Sequence, residues 1–190
     1  MFRQAAIVVT IALLAFTTAC GSHKSASPAS TSAAAGGPAV GAPVAASNPC
    51  PAHNTKSFAK TRFVADAALA GGAFKHWIYT PMKEGKFSKG AHGRVGSIVK
   101  AVAAGAFTLN RLNAAKDNAA ASPLLCKFTI GPITKLRSAM GTIVHQGNHG
   151  LGSIDPSTVT SANNVLSQFH SGAASGGAGF TDNQNANIGG

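Results

Sequence analysis

Four segments of this 190-residue chain place apolar residues at every third or fourth position, and this period constrains the fold more than any other feature. Such spacing puts the apolar side chains on one face of an α-helix, whereas a half-buried strand would alternate them. No convincing run of strand alternation or hairpin turn interrupts the pattern. The sequence therefore predicts an all-α fold, a small bundle of about four helices over residues 55–172.

The predicted helices cover about 58–79, 93–118, 122–147 and 155–172, and each has its own apolar seam. Pro81 is expected to end the first helix, Pro132 to kink or split the third, and Gly147 to end it. The fourth helix begins with a capping residue followed by proline, Asp155 and Pro156, and Gly172 follows its last seam residue. The seams are Phe63, Ala67, Ala70, Phe74 and Trp77; Val95, Ile98, Val102, Gly105, Leu109 and Leu112; Ile133, Leu136, Met140 and Ile143; and Val159, Ala162, Leu166 and Phe169.

The chain begins with a pattern typical of export. Residues 1–19 hold one early Arg and then an uncharged apolar run that is short for a membrane span, as in a signal peptide. "TTAC" followed by "GS" resembles the lipobox of bacterial lipoproteins, although Thr17 stands where that motif usually has Leu. The resemblance implies that Cys20 is acylated through its sulfur and that lipid anchors the protein to the outer face of the cell membrane. An ordinary secretory signal cleaved elsewhere, or an uncleaved N-terminal anchor, is the alternative.

Two stretches have too few large apolar residues to predict a packed structure. After the lipidated cysteine, residues 20–54 are rich in Ala, Ser, Gly and Pro, which predicts a disordered linker. Residues 21–49, taken as a flexible coil, would span roughly 30 Å on average. The last stretch, residues 173–190, has the same composition and is predicted to be a disordered tail.

Two cysteines remain if Cys20 carries lipid. In an exported protein, Cys50 and Cys126 would lie in a compartment that permits disulfides. A bond between them is the favoured prediction, because a small core rich in alanine gains from a covalent crosslink. The alternative is a pair of free thiols, with Cys126 buried among apolar neighbours.

The charge of the chain is strongly basic and uneven. Its formal net charge is +11, and 14 of its 16 Lys and Arg residues lie between Cys50 and Arg137, where only three acids occur. A basic surface of this kind suits an anionic partner. Nucleic acid fits the sign of the charge, but an exported protein would rarely meet it, so no nucleic-acid partner is expected.

The stretch "FKHWIYTPMKEGKFSKG", residues 74–90, interleaves aromatic residues with lysines. That pattern suits an interface between an apolar and an anionic phase. The alternative is that the aromatics are core and the lysines a solvated loop; a membrane-embedded hairpin of the first two helices is a further one. The candidate residues for binding an anionic surface are Lys75, Trp77, Tyr79, Lys83, Lys86, Lys89 and Arg94.

No motif predicts a catalytic centre, a metal site or a cofactor. "SFAK" and "SIVK" match the S-x-x-K pattern of penicillin-binding enzymes, but the K-T-G partner motif is missing. His145 and His149 have helical spacing, yet no cysteine or acid lies nearby in sequence to complete a metal site. The few acids are too scattered in sequence to indicate a catalytic carboxylate pair.

Residues 60–87 resemble a segment of uncharacterised exported proteins of high-GC Gram-positive bacteria. The shared positions are Lys60, Arg62, Phe63, Phe74, Ile78, Tyr79, Pro81, Lys83 and Gly85. The resemblance implies lineage and compartment but no activity. The expected function is that of a non-enzymatic envelope lipoprotein with a basic face toward anionic lipid or wall polymer. The alternative is a small carrier or sensor that binds an apolar ligand within the bundle.

Overall fold

A computed structural model describes residues 50–149, 154–186 and 188. The first helix, α1 (Ala59–Phe74), continues through a π-helical turn (Lys75–Tyr79) into the short α2 (Thr80–Lys83). Three long helices follow: α3 (Arg94–Ala119), α4 (Pro123–Asn148) and α5 (Pro156–Ser175). No strand occurs within these described ranges, so the prediction of a small all-α bundle is confirmed.

The helices run alternately up and down, with α3 packed against α1 and α4, and α4 packed against α5. Edge-to-face packing of Phe63 on Phe169, with ring centroids 5.7 Å apart, joins α1 to α5. The predicted seams of α4 and α5 are fully buried, as is that of α1 up to Phe74. In α3 the buried line passes through Ile98, Ala101, Ala104, Thr108, Leu112 and Ala115, while Val95 is 53% exposed.

Two prolines are accommodated inside helices, which corrects the predicted boundaries. Pro81 does not end the first helix, because the preceding turn is π-helical and the Thr80 N–H bonds to the carbonyl of Lys75, five residues back. Pro132 does not split the third helix, since α4 continues on both sides of it. Tertiary packing of the buried seam around Ile133 and Leu136 outweighs the loss of one backbone hydrogen bond there.

Gly147 is the last residue but one of α4, which ends at Asn148, so the predicted end of this helix agrees with the structure to within one residue. A Cβ at this position would overlap the side chain of Val102 on α3. The glycine therefore also serves close contact between two helices.

A disulfide joins Cys50 to Cys126, with their Cα atoms 5.5 Å apart, so the predicted pairing is confirmed. The segment after Cys50 is also held by the Thr55 N–H, which donates to the carbonyl of Ala121 at 2.9 Å in the α3–α4 turn. The start of α1, the α3–α4 turn and the start of α4 thus lie together. We call this the disulfide end of the bundle.

The C-terminal segment, residues 176–186, packs along the bundle, which corrects the prediction of a disordered tail. Phe180 packs on Phe63 and Phe169, with ring centroids 6.3 and 5.2 Å away. The Asn183 N–H donates to the carbonyl of Ala68 at 2.9 Å, and Ala186 is buried. Composition did not predict the packing of this segment. One aromatic ring and a few hydrogen bonds hold it to the bundle, and it has no periodic apolar face that a sequence pattern would show.

Asp182 anchors the C-terminal segment electrostatically. Its side chain is only 5% exposed and accepts from Lys75 Nζ at 2.8 Å and from His170 Nε2 at 2.9 Å. The other ring nitrogen of His170 lies 3.2 Å from the carbonyl oxygen of Phe180. The segment fits α1 because residues 71 and 72 are glycines: a Cβ at Gly72 would overlap the backbone of Asn183.

None of the helices in the described ranges combines the length and apolarity that a membrane crossing requires.

Candidate anion-binding site at the lysine end

The end of the bundle opposite the disulfide carries the stretch that the sequence singled out. There α2 ends at Lys83, and a turn-rich loop leads back to α3 at Arg94. Residues 83–93 are called here the lysine loop. Gly85, Gly90 and Gly93 adopt positive φ angles of 70°, 85° and 69°, which lets this short loop reverse the chain direction. We call the end of the bundle that carries this loop the lysine end.

The lysines of the loop point into solvent. Lys83, Lys86 and Lys89 are all exposed, and none forms an ion pair with a carboxylate of the described residues. Phe87 is buried between them at 6% exposure and holds the loop to the core. The loop is therefore fixed at its centre while its cationic side chains remain available to a partner.

The other four predicted binding residues have structural contacts. Lys75 forms an ion pair with Asp182. Arg94 is half-buried, and its Nε donates to the Phe87 carbonyl at 2.9 Å. Tyr79 is half-buried against Phe74, with ring centroids 6.2 Å apart. These residues shape the lysine end and are not a free cationic surface.

Trp77, the fourth, is half-buried beside a cleft of about 300 Å³. Its Nε1 donates to the carbonyl of Ala186 at 3.4 Å, so the C-terminal segment fixes one edge of the indole. His76 packs edge-on against it at 4.7 Å. The residues lining the cleft are His76, Trp77, Thr80, Pro81, Glu84, Lys86, Ser97 and Lys100.

The cleft combines an aromatic wall with two cations. Lys100 Nζ lies 5.6 Å from the Trp77 ring centroid, within the range of a cation–π contact, and Lys86 comes from the lysine loop. Glu84 is the one acid in the lining. An anionic ligand with an apolar or ring-shaped face matches these groups, since a flat face can stack on the indole while the lysines meet its charge.

Sequence reasoning missed Lys100, Ser97 and His76 as members of this site. It read one continuous stretch, whereas the cleft forms where that stretch meets the first turns of α3. A signal was present, because Lys100 is the one charged residue in the otherwise uncharged "VGSIVKAVAAGAFTL". Its position relative to Trp77 depends on helix packing, which the sequence does not specify.

His145 and His149 lie one turn apart at the end of α4, with ring centroids 4.1 Å apart. No group of three or more His, Cys, Asp or Glu side chains suited to a metal ion occurs among the described residues. The pKa of Asp155 is lowered by hydrogen bonds from the Ser157 hydroxyl and backbone N–H, which fits a helix cap.

Small side chains allow α3 and α4 to approach closely. A Cβ at Gly147 would overlap the side chain of Val102, and one at Gly105 would overlap that of Val144. Ala101, Ala104 and Ala115 of α3 are fully buried as well.

Comparisons of the chain with models of protein families, with curated proteins and with solved structures gave no match.

Proposed function

We propose that this protein is a lipid-anchored protein of the bacterial cell envelope whose bundle is a non-enzymatic binding module. Its anchor is an acylated Cys20, which lies outside the described residues together with the rest of the signal and linker region, 1–49. Its ligand is an anionic polymer of the cell wall, bound at the lysine end. The protein works on the outer side of the cell membrane.

One observation carries this proposal: at the end of the bundle opposite the disulfide, Lys86 and Lys100 line a cleft walled by Trp77, and Lys83 and Lys89 are exposed on the same loop as Lys86. A cationic rim next to an aromatic wall suits a repeating anionic ligand with flat rings. If these lysines only strengthened membrane anchoring, they would add little to the binding free energy. Two acyl chains, at about 0.8 kcal/mol per buried CH₂, already contribute more than several lysines.

The position of this surface favours wall polymer over anionic lipid. The helical run from Ala59 to Lys83 is roughly 37 Å long at a rise of about 1.5 Å per residue. Taken as the flexible coil that their composition predicts, residues 21–49 would span roughly 30 Å on average, and they lead to Cys50 at the disulfide end. Reaching the bilayer with the lysine end would require the linker to extend along the whole bundle.

The test compares two matched triple charge reversals in the full-length protein. Lys83→Glu, Lys86→Glu and Lys89→Glu together should weaken binding to a purified anionic wall polymer by about 3 kcal/mol, on the order of 100-fold in Kd, at about 1 kcal/mol per lysine. The control, Arg62→Glu, Lys116→Glu and Lys135→Glu, changes the net charge equally but outside the lysine end and should lower affinity far less.

Titrations would be followed by Trp77 emission at low and physiological salt, with a neutral polysaccharide as the comparison ligand. Equal losses in the two triple variants would mean that net charge alone drives binding, which contradicts the proposed site. Equal binding of neutral and anionic polymer would contradict the proposed ligand. Mass spectrometry of the protein and of Cys20→Ser tests the anchor separately, because the lipid mass should disappear in the variant.

A further inference from the structure

Three large apolar side chains are exposed at the disulfide end of the bundle. Phe58 precedes α1 and is 75% exposed, Leu124 is 51% exposed, and Phe128 is 37% exposed. Leu124 and Phe128 are four residues apart on the first turns of α4 and share one face. An exposed apolar pair on one helix face, with Phe58 exposed at the same end of the bundle, marks a surface that meets another phase or partner.

Phe58 is unusual in its backbone as well as in its exposure. Its φ of 57° and ψ of 17° place it in the left-handed region, and it is the one residue other than glycine among the described residues with a positive φ. Bulky side chains rarely adopt this conformation because Cβ crowds the backbone. With three-quarters of its surface in water, Phe58 gains little from the core in return. Its conformation is explained if the exposed ring has a binding role.

Lysines surround these apolar side chains. Lys56, Lys60 and Lys127 are exposed at the same end, and Lys127 Nζ lies 5.4 Å from the Phe128 ring centroid. Lys56 Nζ lies 3.4 Å from the backbone carbonyl oxygen of Asp117, which is the exposed acid of this region. Apolar side chains with flanking lysines match the boundary between acyl chains and anionic headgroups.

The linker leaves the bundle at the same place. Cys50 is tied to Cys126, two residues from Leu124, so the chain that leads back toward Cys20 begins beside the exposed patch. Taken as a flexible coil, residues 21–49 would span roughly 30 Å on average, which would keep this end within reach of the membrane. The short separation between this end and the lipid anchor raises the effective concentration of the surface at the bilayer. Weak contacts therefore suffice to hold the surface on the membrane.

We propose that the disulfide end docks on the anionic outer surface of the membrane, with Phe58 and Leu124 entering the headgroup region. This inference rests on the proposed lipid anchor at Cys20. Phe128 packs at the edge of the contact, and Lys56, Lys60 and Lys127 meet anionic headgroups. Docking orients the bundle so that the lysine end faces away from the membrane, toward the wall.

The test uses the full-length lipidated protein on vesicles whose acyl chains carry bromine, which quenches tryptophan emission at short range. In Phe58→Trp combined with Trp77→Phe, the indole at position 58 should be quenched severalfold more strongly on anionic vesicles than Trp77 in the wild-type chain. Leu124→Trp combined with Trp77→Phe provides a second reporter on another helix, and circular dichroism verifies that each variant retains its helices. Lys56→Glu, Lys60→Glu and Lys127→Glu added to the position-58 reporter should reduce its quenching.

Each result decides between stated alternatives. If both reporters are quenched no more than Trp77, membrane docking is wrong, while a lipid mass on Cys20 in the same preparation would leave the anchor intact. If the lipid mass is missing, the anchor and the docking inference that rests on it both fail. If the reporters escape quenching and the protein sediments as a dimer that Phe58→Ala dissociates, the patch is a contact between copies of this chain.

Discussion

The two ends of the bundle carry the same sign of charge but are built differently. The disulfide end is closed by the Cys50–Cys126 bond and exposes Phe58 and Leu124 among lysines. The lysine end has no covalent crosslink among its described residues, buries Phe87 within its loop and forms an aromatic-walled cleft. Its large exposed apolar residues are the β-branched Val95 and Val99 on the side of α3. Positive charge alone therefore does not identify what each end binds. The apolar and aromatic groups beside the charge distinguish the disulfide end from the lysine end.

The C-terminal segment links these ends. It starts near the disulfide end, where Gly176 contacts Leu125, and it ends at Trp77, whose indole donates to Ala186. Between them, Asp182 bonds to Lys75 and His170. Displacing the C-terminal segment should thus alter the surroundings of Trp77 at the lysine end while the linker at the disulfide end stays intact. Effects on the two ends can therefore be measured separately.

The largest expected effect comes from removing the disulfide. Cys50→Ser combined with Cys126→Ser should lower the free energy of unfolding by about 4 kcal/mol, because the bond closes a loop spanning 76 residues and restricts the unfolded chain. Urea denaturation followed by circular dichroism measures the change. Cys20→Ser serves as the control and should leave the stability of the bundle unchanged. A loss of less than 1 kcal/mol would show that the disulfide end does not depend on its crosslink.

Gly72→Ala should have the next largest effect, because the added Cβ would overlap the backbone of Asn183. A loss of about 1–3 kcal/mol is expected, as for other overpacked sites. Amide hydrogen exchange should accelerate at Asn183, and Trp77 emission should shift as its contact with Ala186 weakens. The matched control is Gly141→Ala, where the Cβ meets nothing within 4 Å and helix propensity should add up to about 1 kcal/mol of stability. Equal behaviour of the two variants would contradict the close packing of the C-terminal segment.

A smaller effect should follow from Lys100→Gln. This change removes one cation from the cleft and its contact with the Trp77 ring while leaving the lysine loop intact. Affinity for anionic wall polymer should fall by about 1 kcal/mol, roughly fivefold in Kd. Lys135→Gln on the exposed surface of α4 is the matched control and should cause a clearly smaller loss. If both variants bind alike, the ligand meets the loop but does not enter the cleft.

The smallest effect concerns acid stability at the start of α5. The pKa of Asp155 is lowered in the folded protein by its hydrogen bonds from Ser157, so the ionised cap stabilises the fold above its unfolded pKa of about 3.8. That contribution is lost as pH falls through the lower folded value. Asp155→Asn should therefore narrow the difference in melting temperature between pH 6 and pH 3, measured by thermal denaturation. An unchanged difference would indicate that the cap does not titrate with folding.

The helices were predictable from sequence because their signal is local. Period, capping residues and the buried seams of α4 and α5 agree with the structure. The pairing of Cys50 with Cys126 was also predicted correctly, because a third cysteine in a lipobox-like motif left two to pair. Pro81 was misread as the end of the first helix, because a π-helical turn accommodates it, and α4 continues past Pro132 without splitting because tertiary packing compensates for the lost hydrogen bond.

The candidate site was predictable only in part, for a related reason. The exposed lysines of the loop could be predicted from sequence. The ion pair between Lys75 and Asp182 could not, because Asp182 lies in a segment whose composition predicted disorder. Lys100 enters the cleft only through the packing of α3 beside Trp77. Long-range contacts of this kind leave no periodic trace in a single sequence.

The opposite roles of the two ends can be tested with the one native tryptophan. The measurement is Trp77 emission of the wild-type lipidated protein on anionic brominated vesicles, before and after adding anionic wall polymer. Trp77 lies about 28 Å along the helix from Phe58. We therefore expect no quenching by the brominated lipid and a clear emission change when the polymer is added. Strong quenching by the lipid, without a response to the polymer, would contradict the account by placing the lysine end on the membrane.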